Sequence, residues 1–419
     1  MRWLPLLLLW ATPVWAWGGV LPGNGTAAPS QSTTQYAPLM GVGSFNDTET
    51  NRVTLTGADI VARVTILVSA PPGTGNTWTL NLRVGLADST AQCVISGASE
   101  TTCTTPWLAI DNAARISLEC TPASTPDAAT MSWYTEWVSE VAGETPWGSG
   151  TGATPLAVNG TNYFSLYGNS GYTATEADSM FVAPTAGVLS QFACRVSVAP
   201  GNGGGTQSHI FTVMQNSLAT AMVITISEAS VTGTDPDTVT VVAGETYSIR
   251  HTVTASDPAS GAIGWCSVTF SPTVSDEFVL ATSHNTDTLN PAATEYTRIM
   301  SANAGIDATE STHAQYGVPL VVKNIRTLLQ TAPANGADVQ SYTFTFRDDG
   351  ADTPPRMTVS EAETTATASA LWPTELGSIL NWKIVPAGTP AASVHTLSMT
   401  CTLGAARIQG ATLQGAAIK

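Results

Sequence analysis

Three stretches of the chain share one strand–turn–strand pattern, and this repetition constrains the fold more than any other feature. Each stretch spans 19 residues and ends at a serine: 78–96, 209–227 and 342–360. A strand-like segment that stops at Ala-Pro precedes each stretch, and further strand-like segments flank it in the same order. Recurrence in matching surroundings indicates a repeated structural unit. The sequence therefore predicts three similar modules.

Within the modules, apolar and polar residues alternate with a period of two, as from Ile210 to Met214, and no segment carries a sustained helical stripe. About eight short strands in about 110 residues indicate a two-layer sandwich. The predicted fold is all-β, with three tandem antiparallel β-sandwich domains that are jelly-roll-like. An immunoglobulin-type sandwich of about seven strands stays open as an alternative.

Composition sets the predicted boundaries between these domains. Segments rich in Gly, Pro, Ser or Thr are typical of linkers, and 141–161 carries enough Gly and Pro to act as a flexible hinge. The predicted organisation is a signal peptide 1–16, an N-terminal arm 17–32, module 1 33–140, a Gly/Pro-rich linker 141–161, module 2 162–275, a linker 276–291, module 3 292–405 and a C-terminal tail 406–419.

The N terminus is typical of an export signal. Arg2 precedes an apolar run from Leu4 to Trp10, and small residues lead to Ala16, after which a signal peptidase would cut. No later stretch approaches the roughly 18 consecutive apolar residues of a membrane-spanning helix. We expect a secreted protein, extracellular or held at a cell surface by protein contacts, with no transmembrane segment.

The chain is acidic but poor in charge. It has 31 Asp and Glu against 15 Lys and Arg, a net charge of −16, and only 11% charged residues. Its only lysines are Lys323, Lys383 and Lys419, so no basic stripe can neutralise a phosphate backbone. We therefore expect no nucleic-acid partner.

Six cysteines in an exported chain predict disulfides. Cys194 is on an early strand of module 2 and Cys266 on its last strand, which are neighbours in a jelly roll, so the two can pair. Cys93 and Cys103 flank a short turn and form the second predicted pair. The two cysteines that remain are either buried free thiols or a covalent link between modules or subunits: Cys120 and Cys401.

At fold level the modules resemble the jelly-roll modules of the tumour necrosis factor and C1q type, and the modules of secreted carbohydrate-binding and surface-appendage proteins. The resemblance depends on the order of the strands and on the Gly244-Glu245 turn that precedes Tyr247. It implies a fold and assigns a role to no individual residue.

Residues capable of catalysis or metal binding form no recognisable set. Five histidines are scattered without a chelating pair, and the sequence has neither a Gly-x-Ser-x-Gly elbow nor a phosphate-binding loop. The stretch from Asp348 to Asp352 has the Asp-Gly chemistry of a hairpin turn and lacks calcium-loop spacing. Glutamates recur in all three modules, which favours a structural role: Glu100, Glu228 and Glu361, and Glu49, Glu176 and Glu310.

We therefore expect no catalytic residue, no cofactor and no metal, and no enzymatic activity; a hydrolase with an unrecognised site is the weakest of three hypotheses. Two kinds of surface feature remain. Trp137 in module 1 and Trp147 in the predicted linker are candidates for contact with a glycan or another subunit. Asn-x-Thr triplets, which can carry glycans, lie at loop-like positions: Asn24, Asn46 and Asn159.

Tandem sandwiches without a catalytic set predict a secreted structural subunit of an extracellular surface assembly, such as a filament, sheath or surface layer. The subunit would self-associate through its sandwich faces. Terminal strand exchange is a second route, because the tail from Ile408 to Leu413 or the arm from Trp17 to Tyr36 could complete a neighbour's sheet edge. The alternative hypothesis is a carbohydrate-binding adhesin that uses exposed aromatic residues.

Overall fold

The computed structural model of the chain consists almost entirely of β-strands and turns. It describes residues 16–24, 28–139, 141, 143–169, 171–201, 207–254, 258, 260–283, 287–302, 305–317, 319–334 and 339–403. These residues form six sheets, two for each module, which confirms the predicted all-β fold of three antiparallel sandwiches. The predicted signal peptide lies outside the described residues apart from Ala16, and the predicted tail lies wholly outside them.

Module 1 combines long strands with short strands of two or three residues. Its strands are β1 (Ala16–Asn24), β2 (Gln35–Ala37), β3 (Gly41–Val42), β4 (Thr54–Leu55), β5 (Ile60–Val68), β6 (Gly73–Val84), β7 (Gln92–Gly97), β8 (Thr102–Thr104), β9 (Leu108–Ile110), β10 (Arg115–Ala123) and β11 (Met131–Ser139). A short 3-10 helix precedes β4 (Glu49–Asn51).

Module 2 repeats this succession. Its strands are β12 (Thr145–Gly150), β13 (Thr161–Phe164), β14 (Gly168–Asn169), β15 (Phe181–Val182), β16 (Gly187–Val196), β17 (Ser208–Gln215), β18 (Leu218–Ser227), β19 (Thr232–Asp235), β20 (Val239–Val241), β21 (Thr246–Val253) and β22 (Gly264–Pro272). A 3-10 helix precedes β15 (Glu176–Ser179).

Module 3 differs in one strand, because β30 is continuous where the other modules have two short pieces. Its strands are β23 (Phe278–Ser283), β24 (Glu295–Thr297), β25 (Ser301–Ala302), β26 (Gln315–Tyr316), β27 (Leu320–Leu329), β28 (Ser341–Asp348), β29 (Ala351–Ser360), β30 (Thr365–Pro373), β31 (Ile379–Ala387) and β32 (His395–Leu403). A 3-10 helix precedes β26 (Glu310–His313).

Strand order is the same in all three modules. We call the sheet with the first and last strands of a module its inner sheet, which runs β3-β1-β11-β5-β8, β14-β12-β22-β16-β19 and β25-β23-β32-β27-β30. The outer sheets run β2-β10-β6-β7, β13-β21-β17-β18 and β24-β31-β28-β29. The first and last long strands are thus neighbours, as the jelly-roll prediction requires.

The structure differs from the prediction in three segments that composition marks as an arm or a linker. The arm 17–32 contains most of β1, which pairs with β11. The linker 141–161 contains β12, which pairs with β22, and the linker 276–291 contains β23, which pairs with β32. Each segment therefore supplies the first strand of a module, and the N-terminal arm completes its own sheet rather than a neighbour's.

Close packing explains why two of these strands, β1 and β12, contain several glycines. An added Cβ at Gly23 would collide with the ring of Trp133 in the paired strand. One at Gly148 would collide with the carbonyl oxygen of Leu55 in module 1. Glycine is needed at these positions because neighbouring atoms lie too close for a side chain, and not because the chain must be flexible.

The same two-residue turn occurs in the hairpin at the edge of each outer sheet: β6 and β7, β17 and β18, and β28 and β29. Both turn residues have positive φ in every module: Gly85 and Leu86, Asn216 and Ser217, and Asp349 and Gly350. Two such residues between paired strands define a type I′ turn, whose twist matches that of the strands. The hairpin turn predicted between Asp348 and Asp352 is confirmed.

The three modules close into a ring with approximate threefold symmetry. β4 packs on β12 and β22, β15 packs on β23 and β32, and β26 packs on β1 and β11. Each contact places the equivalent short strand of one module against the inner sheet of the next. One continuous hydrophobic cluster runs through all three modules. A single chain thus forms a closed cyclic arrangement of the kind that identical subunits form in oligomers.

Candidate interaction surfaces

The three inner sheets meet at the centre of the ring. A Cβ built on Gly41 would lie 3.7 Å from the Cα of Gly168 and 3.8 Å from the Cα of Ser301. These residues begin β3, β14 and β25, the short strands that lie parallel to the first strand of each module. The approximate threefold axis therefore passes between backbones in van der Waals contact.

Module 1 contacts module 2 through apolar side chains and close backbone approach. Val53, Leu55 and Trp265 form a separate buried cluster across this interface. Thr269 of module 2 donates a hydrogen bond from its hydroxyl to the carbonyl oxygen of Gly57. The contact is largely apolar, which is how charge-poor faces gain stability when water is excluded.

Module 2 contacts module 3 with more polar groups. The hydroxyl oxygens of Ser165 and Ser283 are 3.2 Å apart in a buried hydrogen bond. At the rim, the amide Nε2 of Gln330 donates to a carboxylate oxygen of Asp178 at 2.9 Å. Each of these two contacts thus pairs a polar side chain of module 2 with one of module 3, and the serine pair is satisfied as burial requires.

Module 3 contacts module 1 through an aromatic pair that closes the ring. The ring centroids of Trp137 and Phe278 are 5.7 Å apart, and their planes meet at 84°, an edge-to-face arrangement. The indole nitrogen of Trp137 also donates to the carbonyl oxygen of Glu144 at 3.0 Å. Because the two modules are farthest apart in sequence, this contact distinguishes a ring from a row of modules.

Neither Trp137 nor Trp147, the predicted candidates for contact with a glycan or another subunit, is available on the surface of the described structure. Each side chain is only 1% exposed. Trp147 stacks on Phe270 with ring centroids 5.1 Å apart, and Trp137 packs between modules. Every described Trp and Phe side chain is buried or half-buried. Strand alternation could not reveal this, because both faces of the central inner-sheet strands, such as β11 and β22, are covered.

Both predicted disulfides are present. Cys194 and Cys266 pair across β16 and β22, with Cα atoms 4.1 Å apart. Cys93 on β7 and Cys103 on β8 have Cα atoms 5.9 Å apart and connect the open edges of the two sheets of module 1. Such cross-links restrict the unfolded chain more than the folded one.

The remaining thiols, Cys120 and Cys401, are buried and unpaired, which agrees with the first of the two predicted alternatives. Burial raises the pKa of both thiols well above the ordinary range. The sulfur of Cys120 faces that of Met131 at 3.7 Å. A covalent link through either thiol is absent from the described structure, and burial makes both unreactive.

The three Asn-x-Thr triplets lie in different settings. Asn159 is exposed in the loop between β12 and β13. The carboxamide oxygen of Asn46 accepts the backbone N–H of Thr48 at 2.8 Å. The equivalent turn in module 3 uses a carboxylate oxygen of Asp307 in the same way. Asn24 ends β1, and the rest of its triplet lies outside the described residues.

The repeated glutamates of the 3-10 helices have a common contact. Each accepts a hydrogen bond from a buried polar side chain of the neighbouring outer-sheet strand: Ser117 to Glu49 at 2.8 Å, Ser248 to Glu176 at 2.9 Å, and Asn381 to Glu310 at 3.1 Å. At the hairpin ends, Glu100 accepts from the hydroxyl of Ser96, which lowers the pKa of that carboxyl. These contacts support the structural role predicted for four of the six repeated glutamates, Glu49, Glu100, Glu176 and Glu310.

Sequence reasoning missed an arginine that completes this arrangement in two modules. The guanidinium Nε of Arg83 lies 2.9 Å from Glu49, and its Nη1 lies 2.8 Å from Glu119. Burial alone would lower the pKa of Arg83, but the contacts with Glu49 raise it. Arg347 binds Glu310 in the same way in module 3. The signal was present, because Arg occupies the sixth position of the first and third 19-residue repeats.

Module 2 has a buried histidine pair in its outer sheet. Nδ1 of His209 and Nε2 of His251 are 2.9 Å apart, and both side chains are fully buried. The second nitrogen of each ring has no hydrogen-bond partner among the described residues. Burial lowers the pKa of His209 to about 4 and that of His251 to about 3. The pair is therefore neutral at pH 7.

Comparisons with known proteins provide no further assignment: no protein-family model and no curated protein matches this chain. No group of three or more His, Cys, Asp or Glu side chains suited to a metal ion occurs among the described residues. In the same part of the chain, no helix has the length and apolar character needed to cross a membrane.

Proposed function

We propose that the protein is a secreted structural subunit of an extracellular surface assembly. The observation that carries the proposal is the closed ring, because one chain supplies three equivalent sandwiches in a single preassembled unit. Contacts between modules already bury the central strands of the inner sheets, such as β11, β22 and β32. The outer sheets and sheet edges are then the surfaces through which further copies would associate. We further propose that the modules are jelly rolls of the tumour necrosis factor and C1q type, since their strand order suits that description.

Secretion is part of the proposal. The apolar N terminus with Ala16 at a predicted cleavage site and the two disulfides support export into an oxidising compartment. Cleavage after Ala16 would leave Trp17 as the first residue, so β1 would lose its pair with Ser139 and keep the pairs with β11 from Gly19 to Asn24. Mass spectrometry of secreted protein should give a chain that begins at Trp17. The same spectrum would report glycan on the exposed Asn159.

Self-association through an outer face is the second part. The edge strand β18 and the turn that follows β20 expose Leu218 at 71% and Val242 at 50%, and both line one shallow depression of module 2. Exposed apolar side chains that share a depression favour contact with another surface. The glycan-binding alternative has lost its aromatic platform, and we do not propose it.

Negative-stain microscopy of the secreted protein tests the proposal. We expect an ordered filament or lattice whose repeating unit has three lobes. Leu218→Lys should reduce assembly, because it places a charge in the proposed contact. Val339→Lys is a matched control, since Val339 is 66% exposed on module 3, outside this depression. Isolated particles at every concentration would contradict the proposed function, and equal loss in both variants would contradict the proposed face.

A further inference from the structure

Asn159 precedes a glycine in an exposed loop of module 2. It lies between β12 and β13, where Asn159, Gly160 and Thr161 are all exposed. In the part of the chain that the structure describes, no hydrogen bond involves the side chain of Asn159 or the backbone N–H of Gly160. A Cβ built on Gly160 would have no atom within 4 Å beyond its chain neighbours. The backbone nitrogen of Gly160 is therefore open to approach.

A second exposed asparagine of the same module is held in place. Asn216 lies in the type I′ turn between β17 and β18 and precedes Ser217. Its Nδ2 donates to a carboxylate oxygen of Glu245 at 3.0 Å, and its Oδ1 accepts the backbone N–H of Thr246 at 3.0 Å. Its backbone N–H donates to the carbonyl oxygen of Thr246 at 2.9 Å. Exposure is thus common to the two asparagines, and hydrogen bonds fix only Asn216.

We propose that Asn159 is a site of spontaneous deamidation through a cyclic imide. The backbone nitrogen of Gly160 gives its proton to hydroxide and attacks Cγ of Asn159, so that a new N–C bond forms. The bond between Cγ and Nδ2 then breaks, and Nδ2 takes a proton from water and leaves as ammonia. A second water molecule opens the imide ring at either carbonyl, which leaves aspartate or isoaspartate at position 159.

The following residue and the free side chain both favour this attack at Asn159. Glycine has no Cβ to shield its own nitrogen, and its backbone adopts conformations that other residues disfavour; Gly160 already has φ of +78°. A carboxamide without hydrogen bonds can also rotate until Cγ lies close to that nitrogen, which is the near-attack geometry that the reaction needs. Asn216 would have to break its hydrogen bonds to reach the same geometry.

The proposed reaction competes with glycosylation, because both modify the same nitrogen. Asn159, Gly160 and Thr161 form an Asn-x-Thr triplet, in which Nδ2 would carry the glycan. A glycan makes Nδ2 a bulkier and poorer leaving group, and deamidation removes Nδ2 and the glycan acceptor with it. A copy without a glycan at this position therefore gains one negative charge with time. This inference does not depend on the proposed function.

Peptide mapping by mass spectrometry tests the inference on the full-length protein. Thr161→Ala removes the glycosylation triplet and keeps Asn159 next to Gly160. This variant is held at about pH 8 and at about pH 5 and is sampled over time. Fragment masses report the change from amide to acid, and an isoaspartyl methyltransferase labels isoaspartate. The matched control carries Asn159→Gln in addition, because glutamine keeps an exposed carboxamide but cannot close the same five-membered ring.

The rate at Asn159 is compared with the rate at Asn216 in the same molecule. We expect deamidation at Asn159 to be at least about tenfold faster, since only that carboxamide reaches the attack geometry without losing hydrogen bonds. The rate should be higher at pH 8 than at pH 5, because the attacking nitrogen must lose its proton. Isoaspartate should form at position 159 in the Thr161→Ala variant and be absent there in the glutamine control.

Three results would overturn the inference: no deamidation at Asn159, equal rates at Asn159 and Asn216, or aspartate formed at position 159 without isoaspartate. The last result would mean that water attacks the carboxamide directly. As a second readout, Gly160→Ala in the Thr161→Ala background should slow the reaction about tenfold, because a Cβ shields the nitrogen. An unchanged rate in that variant would show that the nitrogen of residue 160 is not the nucleophile.

Discussion

Modules 1 and 2 have the same strand order but are stabilised by different contacts. In module 1, Arg83 on β6 lies opposite Ser117 on β10. In module 2, Met214 on β17 takes the equivalent position opposite Ser248 on β21. The same registers place Trp78 and Cys120 in module 1 where module 2 has its histidine pair. The glutamate of the 3-10 helix and the type I′ turn are common to both. Shared backbone geometry thus sets the fold, and different side chains stabilise it.

The largest expected difference lies in the disulfides. The bond between Cys194 and Cys266 closes a separation of 72 residues, whereas that between Cys93 and Cys103 closes only 10. From loop-closure entropy, removal of the first bond should lower the free energy of unfolding by about 4 kcal/mol, and removal of the second should lower it by about 3 kcal/mol. Cys194→Ala with Cys266→Ala should therefore lower the free energy of unfolding more than Cys93→Ala with Cys103→Ala. Denaturant unfolding measures both, and the reverse order would contradict the comparison.

The second largest expected difference is in the stability that the 3-10 helix glutamates contribute to modules 1 and 2. Glu49→Ala leaves the mostly buried Arg83 without its bidentate partner, and we expect a loss of about 3 kcal/mol. Glu176→Ala removes only the hydrogen bond from Ser248, and we expect a loss of about 1 kcal/mol. Hydrogen exchange of amides in β10 and β21 reports each module separately. Similar losses in the two variants would mean that Arg83 contributes little to module 1.

The histidine pair should make module 2 sensitive to acid. Its folded-state pKa values of about 4 and about 3 lie below the ordinary value of 6.5, so the unfolded chain binds more protons as the pH falls. The stability contributed above pH 6.5 is lost as the pH falls toward those values, by about 2 kcal/mol per ring at pH 5.

Comparison of β21 exchange at pH 7 and pH 5 measures this effect. Burial is the cause of the lowered pKa of His209. The pKa of His251 is lowered by burial and by its neighbour His209, and no other charged group contributes to either shift. His251→Phe should therefore reduce the pH-dependent loss by about half, whatever its effect on stability at pH 7. The β10 amides of module 1 are the internal control. An unchanged pH dependence in the variant would show that other groups cause the loss.

The sequence predicted local structure well and contacts between modules poorly. The repeats and the alternation of apolar and polar residues were sufficient to predict the sandwiches, the hairpin turns and both disulfides, because these features depend on neighbouring strands. The first strand of each module was missed, since Gly148 resembles a linker residue until the backbone of Leu55 is placed beside it. Trp137 appeared available for a ligand because nothing local shows that Phe278 covers it. Such contacts join residues far apart in the chain.

Small-angle X-ray scattering from the monomeric protein distinguishes a closed ring from three modules in a row. A compact body of this length should have a radius of gyration of about 22 Å. Three modules of about 125 residues in a row, without the contact between Trp137 and Phe278, would give about 30 Å. A value near 22 Å with a compact distance distribution is the predicted result, and a value near 30 Å with an elongated distribution would contradict the ring.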